Sequence, residues 1–320
     1  MKGWDYKYPE QSPRRSGLLP TGDGHELYFE EYGSPGAIPI VEIHGGPGVG
    51  SIPEYHRFFD PDRYRLLMYD QRGSGRSLPL GELRNNTTQH LIADLELLRE
   101  LLDVKRWAIT GWSWGTTLAL AYAQAHPDRV LAIVLRGAWT AREEESAWFS
   151  SGLRNFFPDI FDKIETDLTD VPDEKKLKEL ARIAKDETLP AHARETAACD
   201  YSRYELYACY LEATEEQVRH DLSAGPQLPI ARIGEHFRKH RWFLGENQLW
   251  KELDRITHIP CTLIHGRYDI VAVPKTSYEL HKAWPGSELI IAPACGHMSS
   301  EPAMAEAMTA TMDKLAKARA

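Results

Sequence analysis

Long apolar runs are missing from this chain. None of its 320 residues belongs to a run of the roughly 18 apolar positions that a membrane span requires. The opening stretch, MKGWDYKYPEQSPRR, has no apolar core of the kind a secretory leader needs, so none is expected. Cysteine is scarce. Cys199, Cys209, Cys261 and Cys295 show no C-x-x-C spacing and are expected to be reduced thiols in a cytoplasmic protein. No block of like charge accompanies the formal net charge of -9. Acidity of that kind keeps a protein soluble and argues against a nucleic-acid partner. Internal repeats and low-complexity segments are absent. The glycine-rich stretch after His44 is neither G-x-G-x-x-G nor a P-loop, which argues against nucleotide binding.

What is present is ordinary in composition and orderly in pattern. Apolar residues make up 42% and charged residues 27%, as in a typical globular protein, and the length allows one to three domains. Residues 17–33 alternate about Asp23-Gly24, which predicts a β-hairpin. Short apolar runs at 38–44, 64–70, 130–137, 260–266 and 287–293 predict buried strands, as does RWAITGW at 106–112. Leu91, Leu95, Leu98 and Leu102 recur at helical spacing, and TTLALAYAQAHP reads as a second helix. Strands alternating with helices predict an α/β fold with a mostly parallel sheet flanked by helices. From about Ala141 to 255 the pattern turns helical and charged. The expected division is a core of 1–140 and 256–320, with 141–255 inserted as a helical cap over the site.

Gly111-Trp112-Ser113-Trp114-Gly115 fits G-x-S-x-G, between a strand run and a helical run. A sharp strand-to-helix turn exposes such a serine, and the following helix start aims free amides at a developing oxyanion. His44-Gly45-Gly46-Pro47-Gly48 follows an earlier strand, where Gly46 can join the Trp114 amide as the second oxyanion donor. A serine nucleophile needs a base, and the base needs an orienting acid. Asp269, after the 260–266 run, and His297, after 287–293, supply them in the chain order Ser, Asp, His. All four segments end a strand, where open α/β sheets place their sites. His236 and His240 share a helical face but have Arg238 and Lys239 between them and no third ligand in view, so no metal site is expected.

HGGPG, YDQRGSGRS at 69–77, GWSWG, GRYD and the GH of His297 together resemble the proline iminopeptidase (prolyl aminopeptidase) family of α/β-hydrolases. The resemblance covers most of the chain. It implies an α/β-hydrolase fold with a helical cap and release of an N-terminal residue, preferably proline, from a small peptide or aminoacyl substrate, without metal or cofactor. The triad and oxyanion positions carry over, and Asp70–Ser77 becomes a structural loop bordering the site. Trp112 departs from the family's usual glycine, and its ring is expected to crowd the site.

In the cap, the Tyr201-Ser202-Arg203-Tyr204-Glu205 segment resembles the family's ammonium-binding segment, which makes Glu205 the candidate carboxylate. The family's second glutamate follows Ala-Arg-Ile. Here Gly234 stands there and Glu235 comes one residue later, about 100° around a helix. Arg238 stands where the family tends to have a pocket aromatic, Ser150 and Ala272 replace other pocket residues, and Trp139 keeps an aromatic. The chemistry is therefore better specified than the substrate. An ester, amide or lactone hydrolase with altered specificity remains an alternative, as does a non-catalytic binding protein. Oligomeric state is not readable.

Overall fold

The computed structural model describes residues 8–319. Residues 1–7, on which part of the leader expectation rests, lie outside them. The chain opens with a hairpin, β1 (Arg15–Pro20) and β2 (Glu26–Gly33), closed by Thr21 N–H donating to the His25 carbonyl at 3.0 Å. Then come β3 (Ile38–Ile43), β4 (Tyr64–Tyr69), α1 (Thr88–Leu101), β5 (Trp107–Trp112), α2 (Trp114–Ala125) and β6 (Val130–Arg136). Helices α3 (Glu143–Ala147), α4 (Asp173–Lys185), α5 (Ala191–Cys209), α6 (Glu215–Ser223), α7 (Gln227–Lys239) and α8 (Gln248–Lys251) follow, with no strand among them. The chain closes with β7 (Cys261–Gly266), α9 (Pro274–Ala283), β8 (Glu288–Ala292) and α10 (Pro302–Ala318). No helix among the described residues is long and apolar enough to cross a membrane. All four cysteines are free.

The strands form one sheet in the order β1-β2-β4-β3-β5-β6-β7-β8. β1 and β2 are antiparallel to their neighbours, and every other pairing is parallel. Side-chain alternation sorts the two faces. Leu67, Tyr69, Ile133 and Leu135 join the cluster made with α1 and α2. Leu66, Met68, Ala132 and Val134 join Met304, Met308 and Met312 of α10 on the opposite face. Helix α1 starts where the Thr87 hydroxyl accepts from the His90 amide, and it buries Leu91, Leu95 and Leu98 at helical spacing. Helix α4, a charged helix by composition, still buries Leu177, Leu180, Ala181 and Ala184 on one stripe.

The loop after β4 ties the site's separate pieces together. Asp70 accepts from the Ser51 amide at 2.7 Å and the Arg76 amide at 2.8 Å, which fixes the end of the glycine loop after β3. The Gln71 side chain donates its Nε2 to the His44 carbonyl at 2.8 Å and accepts from the Trp114 indole at Oε1 at 2.9 Å, so one side chain spans that loop and the first residue of α2. Arg72 grips the buried Asp94 of α1 through two bonds of 2.6 and 2.7 Å. Removing one partner of such a buried pair leaves the other charge unmatched. Arg72→Met is therefore expected to lower folding stability by roughly 3–5 kcal/mol, as a fall in the urea midpoint at unchanged slope. A fall under about 1 kcal/mol would place the pair among weak surface bridges.

Candidate active site

Ser113 sits between β5 and α2 with φ 53° and ψ -126°. A side chain other than glycine adopts that backbone only when its surroundings enforce it. The enforcement is visible on both sides. The Ser113 amide donates to the Arg136 carbonyl at 3.0 Å, and the Ser113 carbonyl accepts from the Thr116 amide at 2.9 Å. The turn passes so close to β3 that a Cβ on Gly115 would collide with the Ile43 carbonyl oxygen. Trp114 opens α2, and the first amides of a helix have no partner within it.

Asp269 and His297 follow β7 and β8 and meet across the strand ends. His297 Nδ1 donates to Asp269 Oδ2 at 2.7 Å, with both side chains buried. Asp269 Oδ1 also accepts from the amides of Val271 and Ala272, each at 3.0 Å. Burial alone would raise the Asp269 pKa. The charge on His297 and hydrogen bonds from His265 and His297 outweigh it and hold the carboxyl well below the usual range. The backbone of His297 is held as firmly as its ring. Its amide donates to the Cys209 carbonyl at 2.8 Å, at the end of α5, and its carbonyl accepts from Arg136 Nη1 at 2.6 Å. Gly137, at φ 59°, lets the ring lie alongside, since a Cβ there would come within 3.0 Å of His297 Cε1.

Arg136 thus joins Ser113 and His297, through its carbonyl to the one and through its guanidinium to the other. The expected relay is half formed. His297 Nε2 is buried and has no hydrogen-bond partner among the described residues, and no bond joins it to the Ser113 hydroxyl. In enzymes without substrate, contacts of this kind are often loose and tighten on binding.

Ser113 opens into a narrow cavity of about 50 Å³. Gly46, Trp114, Trp139, Glu205 and Arg238, all anticipated from sequence, line it. Glu235 does not. It lies behind Arg238, bonded to Nη1 at 3.0 Å, while Gly234 takes the wall position, as expected for a side chain shifted one place around α7. Ser150 and Ala272 are also off the wall, where Ser146 and Val271 stand instead. Phe149, Tyr201, Ile230 and Trp242 complete the apolar lining. Trp112 does not crowd the cavity. Strand alternation sends its ring to the opposite face, where the indole donates to Glu42 Oε1 at 2.8 Å and Arg136 stacks 5.0 Å from the ring. His236 and His240 engage the Asn86 and His236 carbonyls, and no trio of metal-ligating side chains converges among the described residues.

Residues 38–303 match the family model for the alpha/beta hydrolase fold. The chain is 39% identical over 310 residues to a proline iminopeptidase of Xylella fastidiosa, covering 96% of this chain and 98% of that one. It is 37% identical over 315 residues to a proline iminopeptidase of Arabidopsis thaliana, covering 96% and 81%. An esterase from Exiguobacterium antarcticum superposes with a TM-score of 0.66 at 19% identity, covering 95% of this chain and 100% of that one, which is a likeness of fold.

The chain belongs to the proline iminopeptidase family of α/β-hydrolases.

Membership makes it a hydrolase of the α/β fold. Residues that sequence reasoning missed include Arg136 and Glu42. Both had a signal: a charged residue near the end of an otherwise apolar strand run is seldom buried without purpose. Glu42 is buried beside Trp112, and its Oε2 has no partner. Burial pushes its carboxyl up to about 8, against the Trp112 bond and the Arg136 charge. A folded-state pKa above the ordinary 4.5 means that the folded protein keeps a proton the unfolded chain has lost, so stability falls as pH rises through that window. Glu42→Gln is expected to flatten the fall. Urea midpoints at about pH 5 and about pH 8 check it, and a variant as pH-sensitive as the parent would assign the slope to other groups.

Proposed function

We propose that this protein is a serine aminopeptidase, cleaving the amide bond that follows a free N-terminal residue through an acyl-enzyme. The observation that carries this reading is Glu205. It shares the cavity with Ser113, and its carboxylate has no hydrogen bond or ion pair among the described residues. Burial raises its pKa, while the charges of His297 and Arg238 oppose the rise. A partly enclosed carboxylate without a partner suits an ammonium group, and it rejects an acylated nitrogen that brings no charge. Relatives named proline iminopeptidase, alike over nearly the whole chain, support proline as one accepted residue.

In this reading His297 Nε2 takes the Ser113 proton as the hydroxyl attacks the substrate carbonyl. Asp269 fixes the imidazole tautomer through Nδ1 and stabilises its charged form. The amides of Trp114 and Gly46 receive the oxyanion. His297 returns the proton to the leaving amine, and water then attacks the acyl-enzyme with the same base. Helix α5 serves both halves of the site, since Glu205 lies one turn before Cys209, whose carbonyl holds His297. Residues 141–255 act as the cap that encloses the substrate's amino end. Free thiols support a reducing, cytoplasmic setting.

Aminoacyl anilides with free and with acetylated amines test the reading. Free amines are expected to react faster by on the order of 100-fold in kcat/KM. Glu205→Gln should erase most of that preference, chiefly through KM. Ser113→Ala should lose turnover by on the order of 10,000-fold and escape fluorophosphonate labelling while remaining folded. Equal rates on blocked and free substrates would assign Glu205 another role.

A further inference from the structure

Three successive residues between α7 and α8 hold a backbone that side chains avoid. Arg241, Trp242 and Phe243 have φ of 51°, 59° and 53°. Residues other than glycine enter that left-handed region singly and seldom, and bulky ones least of all. The surroundings must therefore impose the turn. Helix α1 of the core does so. Thr88 Oγ1 donates to the Trp242 carbonyl, and Gln89 Nε2 donates to the Phe243 carbonyl at 2.7 Å. Within the turn, the Phe243 amide donates to the His240 carbonyl at 3.0 Å.

The turn delivers one side chain fully inward. Trp242 is 7% exposed, whereas Arg241 is exposed and Phe243 half-buried. The Trp242 ring stacks on Trp114 at 5.2 Å and meets Trp139 edge-on at 6.1 Å. Its indole N–H donates to Ser146 Oγ at 3.4 Å. Trp242 and Ser146 line the narrow Ser113 cavity, and both also line a cleft of about 790 Å³ between residues 140–146 and 238–251. The bonded pair stands where the two spaces adjoin. Arg238, the third residue on both walls, is tied to Glu235 and Tyr201, and Ser146 is small. The Trp242 ring is thus the bulk that keeps the cavity narrow on this side. Strain of this kind persists where a structure uses the direction that it gives a side chain.

We propose that Trp242 sets the upper size of the N-terminal residue that reaches Ser113, its ring closing the cavity against the cleft and excluding large aromatic side chains. The inference rests on the aminopeptidase reading and names the residue that limits its substrate. Glycine at 242 would adopt the same turn without strain and open the cavity towards the cleft.

Free-amine anilides of alanine and phenylalanine test it. In the parent the alanine substrate is expected to have the higher kcat/KM by about 10-fold or more. Trp242→Gly should narrow that gap by about 10-fold, and the ratio cancels any loss common to both substrates. Fluorophosphonate titration counts folded sites. The backbone has its own readout. Alanine ordinarily stabilises a chain more than glycine does, but at φ 59° the order reverses, so Trp242→Gly is expected to have a higher urea midpoint than Trp242→Ala. Equal rates on both substrates in the parent overturn the inference, whether or not the variants fold. So does a folded Trp242→Gly enzyme that keeps the parent's ratio. A Trp242→Ala protein more stable than Trp242→Gly removes the strained turn on which the inference stands. If no aminoacyl anilide reacts while simple acyl esters do, the aminopeptidase reading itself falls, and acetyl against phenylpropionyl esters still read the size limit.

Discussion

Arg136 is the point on which the site's geometry turns. It is fully buried, and no carboxylate comes within ion-pairing distance of it among the described residues. Its main chain receives the Ser113 amide, and its guanidinium grips the His297 carbonyl. Ser113 and His297, the proposed nucleophile and base, lie 184 positions apart in the chain, and a single residue bonds both. A charge placed so deep is tolerated only because several partners share it. Tyr55 bonds it at 3.3 Å, Trp112 offers its ring face, and Glu42 contributes a nearby carboxyl. This polar group lies on the face of the sheet turned toward α10, away from the cavity, and supports the Ser113 turn from behind.

The helical segment does more than cover the cavity. Its α5 holds the His297 backbone at Cys209 and extends Glu205 into the cavity one turn earlier. Its α7 supplies Arg238, braced by Glu235 behind it and by Tyr201 from α5. Cavity wall and imidazole are mechanically joined, because α5 both lines the cavity and holds the His297 backbone.

Most of the architecture was legible in the linear chain. Continuous apolar runs in 38–43, 64–69 and 130–136 mark strands, because a strand buried on both faces has no polar side to show. The meeting of Ser113, Asp269 and His297 at one edge was legible for another reason: each follows a strand, and strand ends in a parallel sheet converge. The cavity wall was only partly legible. Glu205, Trp139 and Arg238 sit on it, but Ser146, Phe149, Ile230 and Trp242 carry no local mark that separates a pocket residue from a core residue.

The sequence alone determined which chemical groups the protein has and where each falls along its strands and helices, since backbone sterics and burial act locally. Tertiary structure decided which of those groups face each other. Trp112 and Ser113 are neighbours in sequence, yet strand pleating puts the ring behind the sheet and the hydroxyl in the cavity. Glu235 and Gly234 are neighbours too, and one step of helical rotation exchanges wall for support. Direction in space accumulates from every preceding turn and packing contact, so no short stretch of sequence contains it.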